Sequence, residues 1–291
     1  MNRVLSNAIA LACITLKLYT RDRKAMALSL LFPIFFTVAF GAALGRGGRE
    51  AVREIMPMLV GLSIITSSFF GQGLGVVIQR ERGMLRRYRL TPLGSGGLLA
   101  GTVLAGLVML AFTLCVQLLM LKTVYHAPFD FRIGPFILVI VVGAISMASL
   151  GLIIAAIAST MQEAQLLMQM TFMGTLFLSG LTFPMEMFGL RIRQFAQFLP
   201  PTHLVTSLTH AMLGGFSLST DGVALVALML MAATAFTIAA RLFRWEKNDP
   251  LPRRAKASAL LALIPVLLFG AWRVAQFPAP RVHAPGARTR R

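Results

Sequence analysis

The chain has 291 residues, of which 57% are hydrophobic and only 13% are charged, and its mean hydropathy is +0.76. Because soluble domains carry about 25% charged residues, this composition excludes an ordinary soluble enzyme, a disordered chain and a disulfide-rich domain. The formal net charge is +18, but the basic residues lie between apolar tracts, where they set membrane topology and meet anionic lipid headgroups. The sequence therefore predicts an all-α, polytopic integral membrane protein without a nucleic-acid partner.

The N-terminal region, residues 1–25, is the first predicted element. Its apolar side chains recur at roughly helical spacing, with basic and polar residues between them, and they are Val4, Leu5, Ala8, Leu11, Ala12, Leu16 and Tyr19. This pattern is typical of an amphipathic helix that lies along the cytoplasmic membrane surface. An N-terminal extension of the first spanning helix fits the same pattern and stays open.

Intervals without charged residues predict the spanning helices. A spanning helix needs about 20 mostly apolar residues, and a charge near the bilayer centre costs about 2.5–3.5 kcal/mol. Six core transmembrane helices are therefore predicted, at 26–45, 56–78, 98–121, 135–158, 164–183 and 222–241. A shorter apolar tract, 257–276, contains Pro265 and predicts either a seventh span or a segment in the membrane interface, of which we favour the span.

The distribution of lysine and arginine predicts a cytoplasmic N-terminus. Up to residue 256, the cytoplasmic segments in that orientation carry 16 basic residues, against seven on the outer side, as the positive-inside rule favours. A seventh span would place Arg281, Arg288, Arg290 and Arg291 outside, against the usual bias, whereas a segment in the interface would keep them inside. Residues 246–291 form a basic linker, the seventh tract and a basic tail. We therefore expect a multi-pass protein of the inner (plasma) membrane that contacts anionic lipids through its basic segments.

The loop 80–92, between the second and third spans, is the most informative stretch of the chain. It is dense with arginine, and Pro92 stops any helix that begins at Arg82. Its apolar side chains can form one strip, namely Met84, Leu85, Tyr88 and Leu90. A short amphipathic helix of this kind can lie parallel to the membrane and bind a cytoplasmic partner. On charge alone, a loop that only sets topology is the simpler interpretation.

The order of residues in this loop changes that interpretation. Residues 79–93 read QRERGMLRRYRLTPL, which resembles the E-R-E-x-G-T-L-E-x-L-x-x-T-P-L pattern of membrane subunits of the ABC-2 type exporter family. In that family the loop is the coupling helix that docks on the ATPase subunit. The resemblance implies contact with the ATPase at Glu81, Arg82, Gly83, Leu85, Arg86 and Tyr88. Because Arg86 stands where the family commonly has Glu, we expect an acidic groove on the partner.

A second match lies downstream, where residues 178–184 read LSGLTFP and residues 198–204 read FLPPTHL. It resembles the S-G-x-x-F-P … L-P-x-x-H segment of the same family, and its motif residues here are Gly180, Pro184, Pro200 and His203. The first two end the fifth span, and the paired prolines then force a turn. We predict a re-entrant hairpin over 184–201 on the outer side, with its backbone shielded by protein. An ordinary external loop is the alternative.

The resemblance assigns residues 26–245 to an ABC-2 type transmembrane domain. It implies a dimer of such subunits, as a homodimer or a heterodimer, above two ATPase subunits that bind ATP and Mg²⁺. The implied function is export of a lipophilic or amphipathic substrate, such as a drug, a lipid or a glycan precursor. The candidate pathway-lining residues are Ser63, Thr66, Ser67, Phe70, Gln165 and Gln169. Helix–helix hydrogen bonding explains their polar side chains about as well.

Several expected absences accompany this interpretation. The sequence has no G-x-x-x-x-G-K-[ST] string, so we expect this chain to bind no nucleotide or other cofactor. The glycine-rich run 71–75 indicates close helix packing or a flexible bend. It has neither H-E-x-x-H nor G-x-S-x-G, and no acidic ligand is expected beside His203 or His210. No catalytic or metal-binding residue is therefore predicted, and the chain is expected to be a transport subunit rather than an enzyme.

The principal alternative is an ion-coupled secondary transporter or channel that acts without an ATPase. Such a carrier normally buries a titratable side chain near the middle of the membrane. All ten acidic residues of this chain lie at predicted helix boundaries or in loops, so the pattern argues against a carrier. A structural or assembly protein of the membrane is the third class.

Overall fold

The computed structural model describes residues 12–14, 17, 23–44, 48–90, 94–179, 187–246 and 267–272. Every regular element in these ranges is helical. The longer ranges contain α1 (Arg23–Leu44), α2 (Gly48–Glu81), α3 (Met84–Arg89), α4 (Ser95–Val124), α5 (Ile133–Ile157), α6 (Met161–Leu178), α7 (Leu190–Ala196), α8 (Pro200–Leu213) and α9 (Leu218–Leu242). The predicted all-α fold class agrees with this part of the chain.

Four helices of the described chain, α2, α4, α5 and α9, are long and apolar enough to cross a membrane. They have 25 to 34 residues each, more than the roughly 20 that a bilayer requires. They correspond to four of the predicted spans, with ends that differ by a few residues, except that α2 begins eight residues before the predicted 56. The chain is therefore a multi-pass membrane protein.

The first and fifth predicted spans fall on α1 and α6. The apolar part of α1 is short, at Leu30–Ala43, and α6 has 18 residues but begins with the polar sequence MQEAQ. Both helices form where charge-free intervals predict them. Whether each crosses the bilayer on its own stays a prediction, because length and composition do not decide it for these two.

Helix α5 lies at the centre of the bundle and contacts α2, α6, α8 and α9. Its sequence is apolar on all sides, as expected for a helix surrounded by protein and lipid. One face, which includes Val139 and Met147, is buried, whereas the face with Ile137 and Val141 is exposed. Movement of α5 would therefore reach most of the bundle.

Helix α2 changes its winding where it meets α5. Residues Ile65–Gly71 form a π-helical segment, a rare element that shifts the faces of the helix. The carbonyl of Phe69 lies so close to Gly151 that any side chain at 151 would collide with it. A Cβ at Gly73 would lie only 2.8 Å from the carbonyl oxygen of Gly151. The predicted close helix packing is thus confirmed at Gly73, while Gly75 faces open space.

Helix α8 begins beside the middle of α5 and not at its end. Its first turn contains Pro200 and Pro201, where a missing backbone N–H removes no helical hydrogen bond. One turn later, Leu204 packs on Gly143, near the midpoint of α5. At the other end the helix stops at Gly214, whose φ of 85° favours glycine.

Several predictions fall partly or wholly outside the described ranges. Of the predicted interfacial helix, only residues 12–14, 17 and 23–25 are described. Gly180 and Pro184 of the second motif lie outside, and so does most of the tract 257–276. Its described part, 267–272, is helical, and the ring of Phe269 lies 6.3 Å from that of His203.

Candidate coupling site

The end of the bundle that contains α3 is called the basic end here. Helix α2 stops at Glu81, and Gly83 then adopts a left-handed φ of 69°, a conformation that residues with a Cβ rarely adopt. The chain turns there into the short helix α3, which coincides with the helix predicted for loop 80–92. Pro92 itself lies outside the described residues.

One side chain holds α3 on the bundle. Leu85 is fully buried and packs on Leu98 of α4, with Tyr88, Phe243 and Trp245 around the contact. Burying a leucine contributes about 1.5–3 kcal/mol relative to leaving it exposed. Leu85 therefore has an internal contact in this chain.

Two ion pairs join α3 to the segment after α9. The Arg86 and Arg89 guanidinium groups lie 3.0 Å and 3.6 Å from the carboxylate oxygens of Glu246. The arginine side chains are more than half exposed, so each pair contributes at most about 1 kcal/mol. Burial of the leucine is thus the larger of the two contributions that fix α3.

The outward side of α3 carries charge and one large apolar residue. Arg82, Arg86 and Arg87 are exposed, and Leu90 at the end of the helix is 89% exposed. Beside them lies an open polar cavity of about 680 Å³. Its lining comes from α2, α3, α6 and the segment after α9, and consists of Arg80, Glu81, Arg82, Gly83, Arg86, Gln162 and Glu246.

Arg80 has a different environment from the other arginines of this loop. It is only 3% exposed, and its guanidinium donates hydrogen bonds to the carbonyl oxygens of Ala155, at 2.8 Å, and Ala158. These carbonyls belong to the last turn of α5, where the helix leaves its own acceptors without partners and its dipole is negative. Arg80 therefore caps the C-terminus of α5.

A second buried arginine caps the same helix end. Arg244, two residues beyond α9, is 7% exposed and donates to the carbonyl oxygens of Ala156 at 3.2 Å, Ile157 at 2.7 Å and Ala158 at 2.8 Å. The carbonyl of Ala158 thus accepts from both arginines. Together they tie the ends of α2 and α9 to the end of α5.

Glu81 binds the start of the next helix. Its carboxylate accepts a hydrogen bond from the backbone N–H of Met161 at 2.8 Å, at the N-terminus of α6. The same helix start is capped internally, because the hydroxyl of Thr160 accepts from the N–H of Glu163 at 3.2 Å. An acidic group is favourable at a helix N-terminus and a basic one at a C-terminus. The consecutive residues Arg80 and Glu81 therefore hold the two facing helix ends of the α5–α6 junction.

The candidate pathway residues do not meet within one chain. Ser63 and Thr66 donate to carbonyls of their own helix, Leu59 at 3.0 Å and Leu62 at 2.8 Å. Ser67 and Phe70 are partly buried, and the Phe70 ring packs edge-on at 5.3 Å against Phe172 of α6. Gln165 and Gln169 are exposed on α6. The structure thus separates these candidates into an inward set on α2 and an outward set on α6.

His203 and His210 both have polar partners, which the sequence did not predict for either residue. His203 is buried, with Nε2 at 2.9 Å from the carbonyl oxygen of Gln197. The expectation that His210 has no acidic partner is wrong, because its Nδ1 lies 2.6 Å from Oδ1 of the buried Asp221. The two residues are 11 positions apart, on α8 and α9, and helical periodicity along one segment does not bring such a pair together. No cluster of three or more metal-ligating side chains occurs in the described ranges.

Comparison with known proteins identifies the family. The family model for the ABC-2 type transporter matches residues 7–213, which contain α1 to α8. Two curated relatives, from Escherichia coli strain K12 and Escherichia coli O157:H7, are both named Probable multidrug ABC transporter permease YbhR. Each is 25% identical over 185 residues, covering 64% of this chain and 49% of the relative, so the chain spans about half the length of the curated relatives it matches. Since the family model covers most of its length, the chain belongs to the ABC-2 type transporter family, the membrane components of ABC transporters.

Proposed function

We propose that this chain is the permease subunit of an ATP-driven exporter and that its ATPase subunit docks on α3 and the adjacent polar cavity. The observation that carries the proposal is the two-sided character of α3. Leu85 attaches one side to the bundle, whereas Arg87 is exposed on the other, and the flanking residues Arg82 and Leu90 are exposed as well. A helix held in this way can receive a partner and pass on its movement without detaching from the bundle.

The hydrogen bonds next to α3 support transmission into the membrane. Arg80 and Glu81 immediately precede the turn into α3, and they bind the end of α5 and the start of α6. Arg244 joins the same site from α9. A displacement of α3 by the ATPase would therefore move the α5–α6 junction, and α5 contacts most of the other helices. ATP and Mg²⁺ bind the partner, and this chain contributes no catalytic group.

We further infer that a second permease subunit, identical or related, faces α6. The outward surface of α6 carries Leu166, Met170, Met173 and Phe177, all exposed in the single chain. Gln165 and Gln169 lie on the same helix and are also exposed. Amide side chains are costly against lipid tails, so this surface suits a protein partner or a wet substrate path better than lipid.

The substrate class and the membrane orientation also belong to this proposal. The relatives' name describes multidrug permeases, which supports a lipophilic or amphipathic substrate for this chain, whether drug, lipid or glycan precursor. The excess of arginine at the basic end supports placing that end and the N-terminus in the cytoplasm, with the chain in the inner membrane. The motif residues Pro200 and His203, at the start of α8 beside the middle of α5, support a re-entrant hairpin that ends at the outer surface.

The docking proposal is tested by charge reversal on the exposed side of α3. The Arg82→Glu/Arg87→Glu variant should lose most of its co-purifying ATPase, at least about tenfold. Its two glutamates would face the acidic groove expected on the ATPase, and like charges across an interface oppose binding. Its amount in the membrane should not change. Lys122→Glu, an exposed basic residue at the opposite end of the bundle, is the matched control and should retain the ATPase. Full retention by the double variant would refute docking at α3.

Reconstitution separates the exporter from the ion-coupled alternative. Vesicles that contain the chain and its ATPase should accumulate a lipophilic dye only when ATP is supplied. Transport driven by a proton or sodium gradient with this chain alone would overturn the proposal and favour a secondary transporter. Asp221 is buried, as the titratable group of such a carrier would be, but it lies in the first turn of α9, far from the middle of that helix.

A further inference from the structure

A second cavity, of about 370 Å³, is formed by the single chain away from α3. It is partly open and is lined by α5, α6, α9 and the turn between α7 and α8. Cavities that bind small molecules have volumes of about 300–1,000 Å³ and mostly apolar walls with a few polar groups. This cavity has the same character, and none of the described residues that line it is charged.

The hydroxyl groups of the lining differ in whether they are already bonded. Thr171 and Thr234 donate to carbonyl oxygens one turn earlier in their own helices, at 2.8 Å and 2.7 Å. Ser146 is 1% exposed, and its hydroxyl has no hydrogen-bond partner in the described chain. Ser149 on the same helix donates to its own helix at 2.7 Å, so α5 does not prevent such a bond. The Ser146 hydroxyl is therefore an unsatisfied polar group in the wall of an apolar cavity.

Water does not readily satisfy a hydroxyl at this depth. Ser146 lies near the middle of α5, and the cavity walls at this level are apolar, with Leu150, Phe198 and Met231 among them. A buried polar group without a partner costs free energy, which a bound ligand with one hydrogen-bonding atom would recover. A charged ligand, by contrast, would lose its hydration here without meeting an opposite charge.

We propose that this cavity binds one uncharged, mostly apolar molecule with a single oxygen group that hydrogen-bonds to Ser146. The size, the apolar walls and the unsatisfied hydroxyl together point to a long-chain alcohol or a neutral ester. Such a molecule is either an exported compound or a neutral lipid of the bilayer. The site lies within one chain, so it depends on neither ATPase docking nor the second permease subunit.

Photolabelling of the full chain in phosphatidylcholine nanodiscs tests the site. The probe is a hexadecanol with a diazirine in the chain, and the labelled peptides should come from α5, α6, α9 and the α7–α8 turn. Palmitic acid with the same diazirine should label these peptides at least about fivefold less, because its carboxylate finds no partner in the cavity. Equal labelling by the acid, or labelling only on the exposed face of α6, would overturn the proposal.

Two variants with matched controls make the test specific. A Cβ at Gly174, which lines the cavity, meets no neighbouring atom, so Gly174→Leu places a larger side chain in the cavity and should reduce labelling at least about fivefold. Gly222→Leu, at another helical glycine with open space, should label as the parent does. Ser146→Ala should lower labelling by the alcohol about fivefold. It should not lower labelling by a hydrocarbon probe that carries the same diazirine but no hydroxyl. Ser149→Ala should leave labelling by both probes unchanged.

The complex with the ATPase distinguishes the two sources of the ligand. If the occupant is an exported compound, ATP turnover should lower labelling of the cavity, and if it is a resident neutral lipid, labelling should persist and the lipid should co-purify. Either result supports the site. Labelling of Gly174→Leu equal to that of the parent refutes it, and should that variant fail to fold, equal labelling of Ser146→Ala and Ser149→Ala by the alcohol refutes it instead. Docking of the ATPase can succeed or fail independently of these results.

Discussion

Two regions at the basic end use the same residue type in opposite ways. Arg82, in the turn before α3, and Arg87, on α3, are exposed to solvent, and Arg86 forms an exposed ion pair. A few residues away, Arg80 and Arg244 are buried and hydrogen-bonded to the carbonyl oxygens that end α5. Loop arginines of this membrane protein are therefore not one class. Some are exposed to solvent, and others hold helix ends together.

The largest effect is expected when a buried arginine is removed. Arg80→Met removes two charged hydrogen bonds at the end of α5, one to Ala155 and one to Ala158, whose carbonyl keeps only Arg244, and hydrogen bonds to charged groups contribute about 1.5–3 kcal/mol each. We therefore expect a loss of about 3–5 kcal/mol, seen as a lower midpoint of thermal unfolding in detergent. Arg80→Lys should recover only part of it, because one ammonium group cannot replace the planar fork. The control Arg82→Met should change stability by less than about 0.5 kcal/mol.

Removal of the apolar anchor of α3 comes next. Leu85→Ala deletes a fully buried side chain, and such truncations cost about 2–5 kcal/mol. The matched control is Leu90→Ala on the same helix, whose leucine is exposed and whose loss should leave the unfolding midpoint unchanged. Leu90→Ala should instead lower the amount of ATPase that co-purifies, because the exposed Leu90 side chain would lie in the proposed interface. Equal destabilisation by both variants would contradict the two-sided character of α3.

The shared carbonyl of Ala158 predicts coupling between the two buried arginines. Because Arg80 and Arg244 both donate to it, a double-mutant cycle with Arg80→Met and Arg244→Met should deviate from additivity by about 1–2 kcal/mol. Unfolding of the four proteins under one set of conditions measures this coupling energy. Strict additivity would mean that the arginines stabilise the end of α5 independently.

The smallest effect is expected for the exposed ion pairs of α3. Glu246→Gln weakens the pairs with both Arg86 and Arg89, and should cost less than about 1 kcal/mol. High salt should remove most of that difference, since exposed charges are screened. In the Arg86→Gln/Arg89→Gln background the same substitution should have no further effect. A salt-independent loss of several kcal/mol would contradict this, because it would mean that these ion pairs stabilise the protein as strongly as the buried arginines do.

Much of the helical framework could be predicted from the chain alone. Charge-free intervals located α2, α4, α5 and α9, because a charged side chain in a bilayer is costly wherever the rest of the fold lies. The helix in loop 80–92 also followed from local pattern. The start of α2 was predicted eight residues late, since its first turns carry Arg49, Glu50, Arg53 and Glu54, which a search for apolar residues excludes although they are helical.

The buried polar contacts could not be predicted in the same way. Arg80 could not be distinguished from the other arginines of the loop, because nothing in the local sequence shows that it caps the C-terminus of α5. The pairing of His210 with Asp221 depends on the packing of α8 against α9. The exposed position of Gln165 and Gln169 on α6 likewise depends on which face of that helix the other helices cover.

A helical, multi-pass membrane protein follows from the amino-acid sequence alone, because hydropathy and charge act on each segment independently of the others. Which arginines hold the α5–α6 junction and which are exposed depends on how the helices pack, and so does the apolar cavity beside the Ser146 hydroxyl, which has no hydrogen-bond partner in the described part of the chain. These features arise where distant segments meet. Hydrogen bonds and cavities are properties of pairs and groups of residues, and a linear pattern carries no record of such groups.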